Sequence, residues 1–146
     1  MTSLFEAVPY LVAYQFSFLV LAILALIALV QSFLNAPLAF GGNSQTPGMP
    51  LQYDHTHVSF RVVRTYANTV ENLPALGFAL LMAIVAGASP WAINLLAGIH
   101  LVFRVLFWGI YYSGIGKVTG GPRTLAYVGG ALANIVIAGM AIFALM

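Results

Sequence analysis

Apolar residues are grouped along this chain in four long runs. The runs cover residues 8–34, 59–87, 90–113 and 123–145. Each run is near or above the ~20 residues that an α-helix needs to cross a bilayer. The first run is too long for a cleavable signal and has no basic leader, so we interpret it as a retained span. The pattern predicts an all-α integral membrane four-helix bundle in a single domain, residues 1–146.

The connections between the runs differ in length and composition. Residues 35–57 are dense in Gly, Pro, Asn and Ser, which predicts a non-helical aqueous loop. The second connection, "GASP", is a tight turn. The third, "SGIGKVTGGP", is short and glycine-rich, and Pro122 is placed to begin the last helix.

The composition agrees with a membrane environment. Hydrophobic residues make up 62% of the chain and charged residues 5%, whereas a soluble domain is roughly one quarter charged. The mean hydropathy is +0.98. The chain has no cysteine, which excludes disulfides, thiolate metal sites and a protein thiol nucleophile. Any sulfur chemistry must therefore come from a ligand.

The basic residues predict an orientation, because cytoplasmic flanks of membrane helices collect Lys and Arg. All five fall on the side of the first and third loops. They are Arg61, Arg64, Arg104, Lys117 and Arg123. We expect these two loops to be cytoplasmic and both termini to lie on the opposite side of the membrane.

Polar residues of the second span share one face of the predicted helix. At about 100° per residue, and relative to Arg61, Arg64 lies at about −60° and Asn68 at about −20°. Glu71 lies at about −80° by the same rule. The spacing therefore predicts a narrow polar stripe along a helix that is otherwise apolar.

The third span carries a second stripe, which is both polar and aromatic. Relative to Arg104, His100 lies at about −40° and Tyr111 at about −20°. Phe107 lies at about −60° on the same scale. His100, one turn before Arg104, is interpreted as a polar partner inside the bundle rather than as a general base.

Two interpretations of these stripes remain open, since charges in hydrocarbon must turn toward protein, water or a ligand. In the structural interpretation, Glu71 pairs with Arg64 or Arg104 as a clamp. Asn68 then forms a hydrogen bond between helices. In the ligand interpretation, the three arginines and one carboxylate of the stripes attract an anion. Pro74 is expected to kink the helix and open room beside the stripe.

The spacing of these residues resembles the signature of the MAPEG family, the membrane-associated proteins of eicosanoid and glutathione metabolism. The family includes microsomal glutathione transferases. The matching positions are Arg64, Asn68, Glu71 and Pro74 on the second span, and Arg104 and Tyr111 on the third. The four-span layout extends the resemblance over nearly the whole chain.

The resemblance implies a homotrimer of four-helix bundles that binds glutathione as cosubstrate between subunits. It assigns the tripeptide to Arg64, Asn68, Glu71, Arg104 and Tyr111. It also implies that Arg123, near the start of the fourth helix, stabilises the thiolate and is the catalytic residue. The implied activity is a transferase or peroxidase for lipophilic electrophiles dissolved in the membrane lipid. We expect the two stripes to face each other across the subunit interfaces.

The chain departs from the family pattern at three places. Many glutathione-using members have an arginine at the end of the first helix, where this chain has Gln31 and Asn35. The tyrosine expected four residues before Tyr111 is Phe107, which lacks a hydroxyl. An aromatic residue that often follows the helix-two glutamate is Asn72.

Alternative functions follow from other features. Glu71 alone in a four-span oligomer suggests a small proton-coupled multidrug exporter, although nearby arginines would repel cationic substrates. A non-catalytic, lipid-binding member of a MAPEG-like group is a third class. The run "DHTH" resembles a metal cluster, but Asp54 or Thr56 is expected to cap the helix that follows, and we predict no metal ligand. No nucleic-acid patch is present.

Overall fold

The computed structural model describes residues 3–41, 46–116 and 120–146. Lys117, which the orientation argument counts, lies outside the described residues. Four long helices form the protein: α1 (Gln15–Asn35), α2 (Val58–Val85), α3 (Pro90–Ser113) and α4 (Pro122–Leu145). A separate helical turn, Leu4–Ala7, precedes them. The prediction of an all-helical protein with four apolar spans is confirmed for the described residues.

The first span is longer than the sequence predicts. A 3-10 helix, Pro9–Tyr14, leads into α1, and a π-helical segment, Ala36–Phe40, extends it. Together they form a 32-residue apolar span, Pro9–Phe40. The prediction of a non-helical loop is therefore wrong for Asn35, the last residue of α1, and for residues 36–40. Pro37 lies in the first turn of the π-helical segment, where a missing N–H is tolerated.

Glycine and proline define the two shorter connections. Gly87 and Gly114 adopt positive φ angles of 74° and 68°, a region that glycine enters without a Cβ penalty. Gly114 ends α3, and its N–H bonds to the last carbonyls of that helix. Pro122 is the first residue of α4, as predicted.

The start of α2 differs from the expected capping. The helix begins after His57, and no side chain caps it. Instead, Asp54 Oδ1 accepts hydrogen bonds from the Thr56 N–H at 2.9 Å and the Thr56 hydroxyl at 2.6 Å. These bonds hold the pKa of the exposed Asp54 carboxyl below its usual range. The expectation that Asp54 or Thr56 caps α2 is wrong because the two residues bond to each other, forming a turn before the helix.

Small residues on α4 allow close packing against its neighbours. The buried positions of α4 are Ala126, Gly130, Ala133, Ile137 and Ala141. Their spacing of three and four residues forms one helical face. Across this contact His100 Nδ1 lies 2.9 Å from the Gly130 carbonyl oxygen. A carbonyl only accepts, so Nδ1 donates, which confirms the interpretation of His100 as a polar partner inside the bundle.

A second set of polar contacts joins α1 to α3 at the opposite end of the bundle from the first and third loops. Asn94 Oδ1 accepts from the Ser17 N–H at 3.1 Å and the Ser17 hydroxyl at 2.7 Å. The Asn94 amide donates to the Ala13 carbonyl at 2.7 Å. Tyr14 donates to the Ala88 carbonyl. These bonds hold the start of the first span against the turn before α3 and the first turn of α3, with Ser17 and Tyr14 buried at the contact.

The outer surface of the helices is apolar. Large side chains that point outward include Phe33, Phe78, Trp91 and Phe143, which are 69–81% exposed. Such a surface on four helices of spanning length faces lipid. The protein is an integral membrane protein. Its sidedness and its organisation as one domain stay predictions.

The tight contact between α3 and α4 gives the first testable prediction. A Cβ added at Gly129 would lie 2.5 Å from Cε1 of Phe103, so Gly129→Ala forces the ring or the helix to move. We expect a free energy of unfolding lower by about 1–3 kcal/mol, measured by thermal unfolding in detergent. Gly77→Ala is the matched control, because nothing lies within 4 Å of its added Cβ. Equal stability of the two variants would contradict this packing.

Candidate functional site

Side chains from the first loop, α2, α3 and α4 surround one cavity of about 420 Å³, which lies where α3 approaches its end and α4 begins. The cavity is lined by His55, Arg64, Asn68, Glu71, Phe107, Tyr111, Arg123, Thr124 and Tyr127. Five of the six predicted site residues are therefore brought together. The sixth, Arg104, lies behind the cavity wall rather than in it.

Arg64 and Glu71 form an ion pair on the open side of the cavity. Their side-chain atoms Nη1 and Oε1 are 3.2 Å apart, and the side chains are 45% and 54% exposed. The residues are two turns apart on α2, which agrees with the predicted stripe. Charges that are half exposed on a membrane helix cannot face hydrocarbon without a large cost. This side of the chain therefore faces water, a ligand or another protein surface.

Asn68 joins the stripe of α2 to the stripe of α3. Its Oδ1 accepts a hydrogen bond from Arg104 Nη1 at 2.8 Å, and both residues are buried. An arginine only donates, so the amide oxygen must face Arg104. The amide nitrogen of Asn68 is then the group left to donate toward the cavity. The two stripes thus meet within one chain, whereas the sequence-based expectation placed them opposite each other across subunit interfaces.

Arg104 is a buried cation without a carboxylate partner among the described residues. The residue is 2% exposed, and its Nη2 has no hydrogen-bond partner in that part of the chain. Its guanidinium lies 5.0 Å from the Phe107 ring centre and 5.9 Å from that of Trp108. Cation–π contacts offset part of the desolvation cost. A buried, incompletely paired guanidinium favours an anion nearby.

The aromatic part of the cavity comes from α3 and α4. Phe107 stacks on Tyr111 with ring centres 5.4 Å apart, and Tyr127 lies 6.1 Å from Phe107. Because Phe107 has no hydroxyl, it contributes only apolar surface to this wall. The Thr69 hydroxyl accepts a hydrogen bond from Trp108 Nε1 at 3.0 Å, which fixes the indole ring of Trp108.

Arg123, Tyr111 and His55 form a cluster at the mouth of the cavity. The Arg123 guanidinium lies 4.7 Å from the Tyr111 ring centre. Arg123 Nη1 is 3.0 Å from His55 Nδ1, and the Tyr111 hydroxyl is 2.8 Å from the same nitrogen. Burial lowers the pKa of the His55 imidazole below its ordinary value, and the charge of Arg123 lowers it further.

Arg61 does not line this cavity, although the other residues of its predicted stripe do. Its Nη1 donates to the carbonyl oxygens of His55 at 2.9 Å and Thr56 at 2.8 Å. Arg61 lines a smaller adjoining cavity of about 250 Å³ instead. Its contacts hold the loop that carries His55.

Sequence reasoning missed three residues that line the cavity, His55, Thr124 and Tyr127. His55 drew attention only as part of "DHTH", and no group of three or more metal-ligand side chains occurs in the described residues. Helical periodicity cannot place a loop residue, so no local pattern assigned it to the cavity. Tyr127 does carry a signal, because it lies one turn after Arg123 on α4. Gln31 and Asn35 are buried on α1 but do not line this cavity.

Comparison with known families supplies the identification. The model of the MAPEG family matches residues 10–143 of the 146-residue chain. The match covers α1, α2 and α3 completely and α4 as far as residue 143. No curated protein and no solved structure matches this chain. With a family match over nearly its whole length, the chain belongs to the MAPEG family of membrane proteins of eicosanoid and glutathione metabolism.

Proposed function

We propose that this protein is a glutathione-dependent transferase or peroxidase that acts on lipophilic electrophiles in the membrane. The observation that carries the proposal is the set of charges at the cavity. Arg64 and Arg123 line it together with a single carboxylate among the described residues, that of Glu71. A third cation, Arg104, lies directly behind Asn68.

Glutathione matches this set of charges group by group. It carries two carboxylates, one ammonium group and a thiol. Its γ-glutamyl end bears a carboxylate and an ammonium on one carbon, which suits the adjacent opposite charges of Arg64 and Glu71, 3.2 Å apart. Charge-assisted hydrogen bonds of this kind are the strong ones. The amide of Asn68, with the positive charge of Arg104 behind it, suits a further anionic or carbonyl oxygen.

Arg123 is the residue we propose for the thiol. A thiol has a reference pKa of about 8.5 and is mostly protonated at neutral pH. A nearby guanidinium favours the thiolate and lowers the pKa of the bound thiol. Arg123 lies in the first turn of α4, and the rings of Phe107 and Tyr127 line the same cavity. An apolar substrate entering from the lipid would meet the sulfur there.

Two reactions of the thiolate fit this arrangement. In conjugation, the sulfur forms a bond to an electrophilic carbon, the leaving group takes the electron pair, and the thiol proton passes to water. In peroxide reduction, the sulfur bonds to one oxygen as the O–O bond breaks, which gives an alcohol and a sulfenic acid. A second glutathione then converts the sulfenic acid to a disulfide and water.

The contacts of Glu71 argue against the exporter alternative. A proton-coupled exporter of cations needs a carboxylate that is available to cationic substrates. Glu71 already pairs with Arg64, and Arg123 lines the same cavity. The net positive charge would repel a cation. A non-catalytic, lipid-binding protein would give no saturable binding of glutathione, and this measurement distinguishes it from a transferase or peroxidase.

The half-exposed Arg64–Glu71 pair supports a site completed by a neighbouring subunit of a homotrimer. We expect native mass spectrometry and chemical cross-linking of the detergent-purified protein to give a trimer. A monomer or dimer as the largest species would contradict the intersubunit site. In that case only a site formed within one chain would remain.

Glu71→Gln tests the charge matching. We expect the dissociation constant for glutathione, measured by calorimetry, to rise about 10- to 100-fold, because a hydrogen bond to a charged group contributes about 1.5–3 kcal/mol. The oligomer should remain folded. Glu6→Gln is the matched control, since Glu6 bonds only to Ser3 in the described N-terminal turn. Unchanged affinity in Glu71→Gln, or failure to assemble, would favour the structural clamp.

Arg123→Ala tests the chemistry. We expect turnover to fall about 100-fold, in the range seen when one charge-stabilising donor is removed, while most of the affinity for glutathione is kept. The ultraviolet absorbance of the bound thiolate should fade in parallel. Arg123→Lys, which retains the charge, should recover part of both signals. Undiminished turnover with an unchanged thiolate band would remove Arg123 from the mechanism.

A further inference from the structure

His55 reaches the cavity from the loop that precedes α2, and one ring nitrogen holds two groups of the site. His55 Nδ1 lies 3.0 Å from Arg123 Nη1 on α4 and 2.8 Å from the Tyr111 hydroxyl on α3. A single atom of the loop therefore links the ends of two membrane helices. Neither the family match nor the polar stripes assign a role to this residue.

The chemistry of the three groups determines the protonation state of His55. A guanidinium has only donors, so Nδ1 must present its lone pair to Arg123. The Tyr111 hydroxyl can donate to the same lone pair. A proton on Nδ1 would remove the acceptor and place a second positive charge 3.0 Å from Arg123 Nη1. The arrangement exists only while His55 is neutral.

The position of His55 is fixed by contacts that do not depend on Arg123. Its ring packs edge-on against Phe60, with centres 4.7 Å apart, and against Tyr111 at 5.6 Å. Its carbonyl oxygen accepts a hydrogen bond from Arg61 Nη1 at 2.9 Å. The loop is thus held to α2 through two independent contacts. The imidazole is a built part of the cavity wall.

The charged groups around His55 come from every element packed against it. Arg123 on α4 and Arg64 on α2 act against a positive imidazole, whereas Asp54 in the same loop favours one. Burial is the largest influence, and together these effects place the pKa of His55 below its ordinary value of about 6.5. This direction agrees with the neutral imidazole that the contact with Arg123 requires.

We propose that neutral His55 is a positioning residue, which holds Arg123 and Tyr111 at the cavity, and that protonation of His55 in mildly acidic solution breaks its hydrogen bond with Arg123, shifts the guanidinium from its working position and turns the site off. The positioning stands on the geometry alone. The effect on turnover rests on the proposed function. Acid conditions are also expected to weaken the fold: the unfolded chain binds a proton at His55 before the folded chain does, so the free energy of unfolding falls as the pH drops from about 6.5 to the folded-state pKa.

The contact itself is tested by NMR titration of the histidine rings in the full-length protein in detergent micelles. The His55 signal is identified by its loss in His55→Asn. We expect its titration midpoint to lie below about 6.5 and to move upward in Arg123→Ala, because the repelling charge is removed. Should Arg123→Ala fail to fold, Arg123→Gln removes the same charge. A midpoint that is not lowered, or that neither variant moves, overturns the proposal.

The consequence for turnover is tested by the pH profile of kcat/KM with glutathione. If both the thiol and His55 must be deprotonated, kcat/KM falls about 100-fold per pH unit at the acid limit, whereas a single required group gives about tenfold. We expect the steeper slope in the natural protein. His55→Asn places an amide oxygen near the Nδ1 position and cannot titrate, so its slope should be the shallower one, with lower turnover.

His57→Asn is the matched control, since it is the same substitution two residues away. The His57 ring stacks on Tyr53, with centres 4.3 Å apart, and does not line the cavity. The His57→Asn variant should keep the steep slope of kcat/KM against pH. A shallow slope in the natural protein, or a steep one in His55→Asn, contradicts the proposal. Absence of any glutathione turnover would refute the proposed function, while the NMR midpoints still decide whether His55 holds Arg123.

Discussion

The hydrogen bond between Asn68 and Arg104 is the interaction around which the polar part of this membrane bundle is arranged. A guanidinium inside a bilayer is costly unless it is paired, and here its described partners are one amide oxygen and two aromatic rings. The bond fixes α2 against α3 and sets the direction of the Asn68 amide. The same requirement keeps Arg104 behind the wall, where it contributes positive charge to the cavity without occupying it.

The remaining architecture separates a lipid-facing surface from this polar centre. Large apolar side chains cover the outside, and α4 buries a face of small residues, including Ala126, Gly130 and Ala133. Close approach of α4 brings Arg123 beside Tyr111 on α3. The small residues of α4 thus influence the site indirectly, because they determine how near its cation comes to the cavity.

Two different kinds of contact hold the cations of the cavity. Arg64 pairs with Glu71 within one helix and remains half exposed, which suits a ligand or a neighbouring chain. Arg123 is held through His55, an acceptor that loses its function when protonated. The first contact is set by helical spacing within α2. The second depends on a loop residue whose imidazole accepts a hydrogen bond at Nδ1 only while that nitrogen is unprotonated, so the two halves of the site are held by different kinds of contact.

The amino-acid sequence by itself determined the four spans, the two polar stripes and the family resemblance, because hydropathy and the 3.6-residue period act within a single helix. Only the tertiary structure decided that Arg104 lies behind Asn68, that Arg61 serves the loop, and that His55 enters the site. These outcomes depend on contacts between residues far apart in the chain, such as His55 and Arg123. Helical spacing gives the direction of a side chain around the axis of its helix. Which neighbouring helix or loop contacts that side chain depends on how the elements pack.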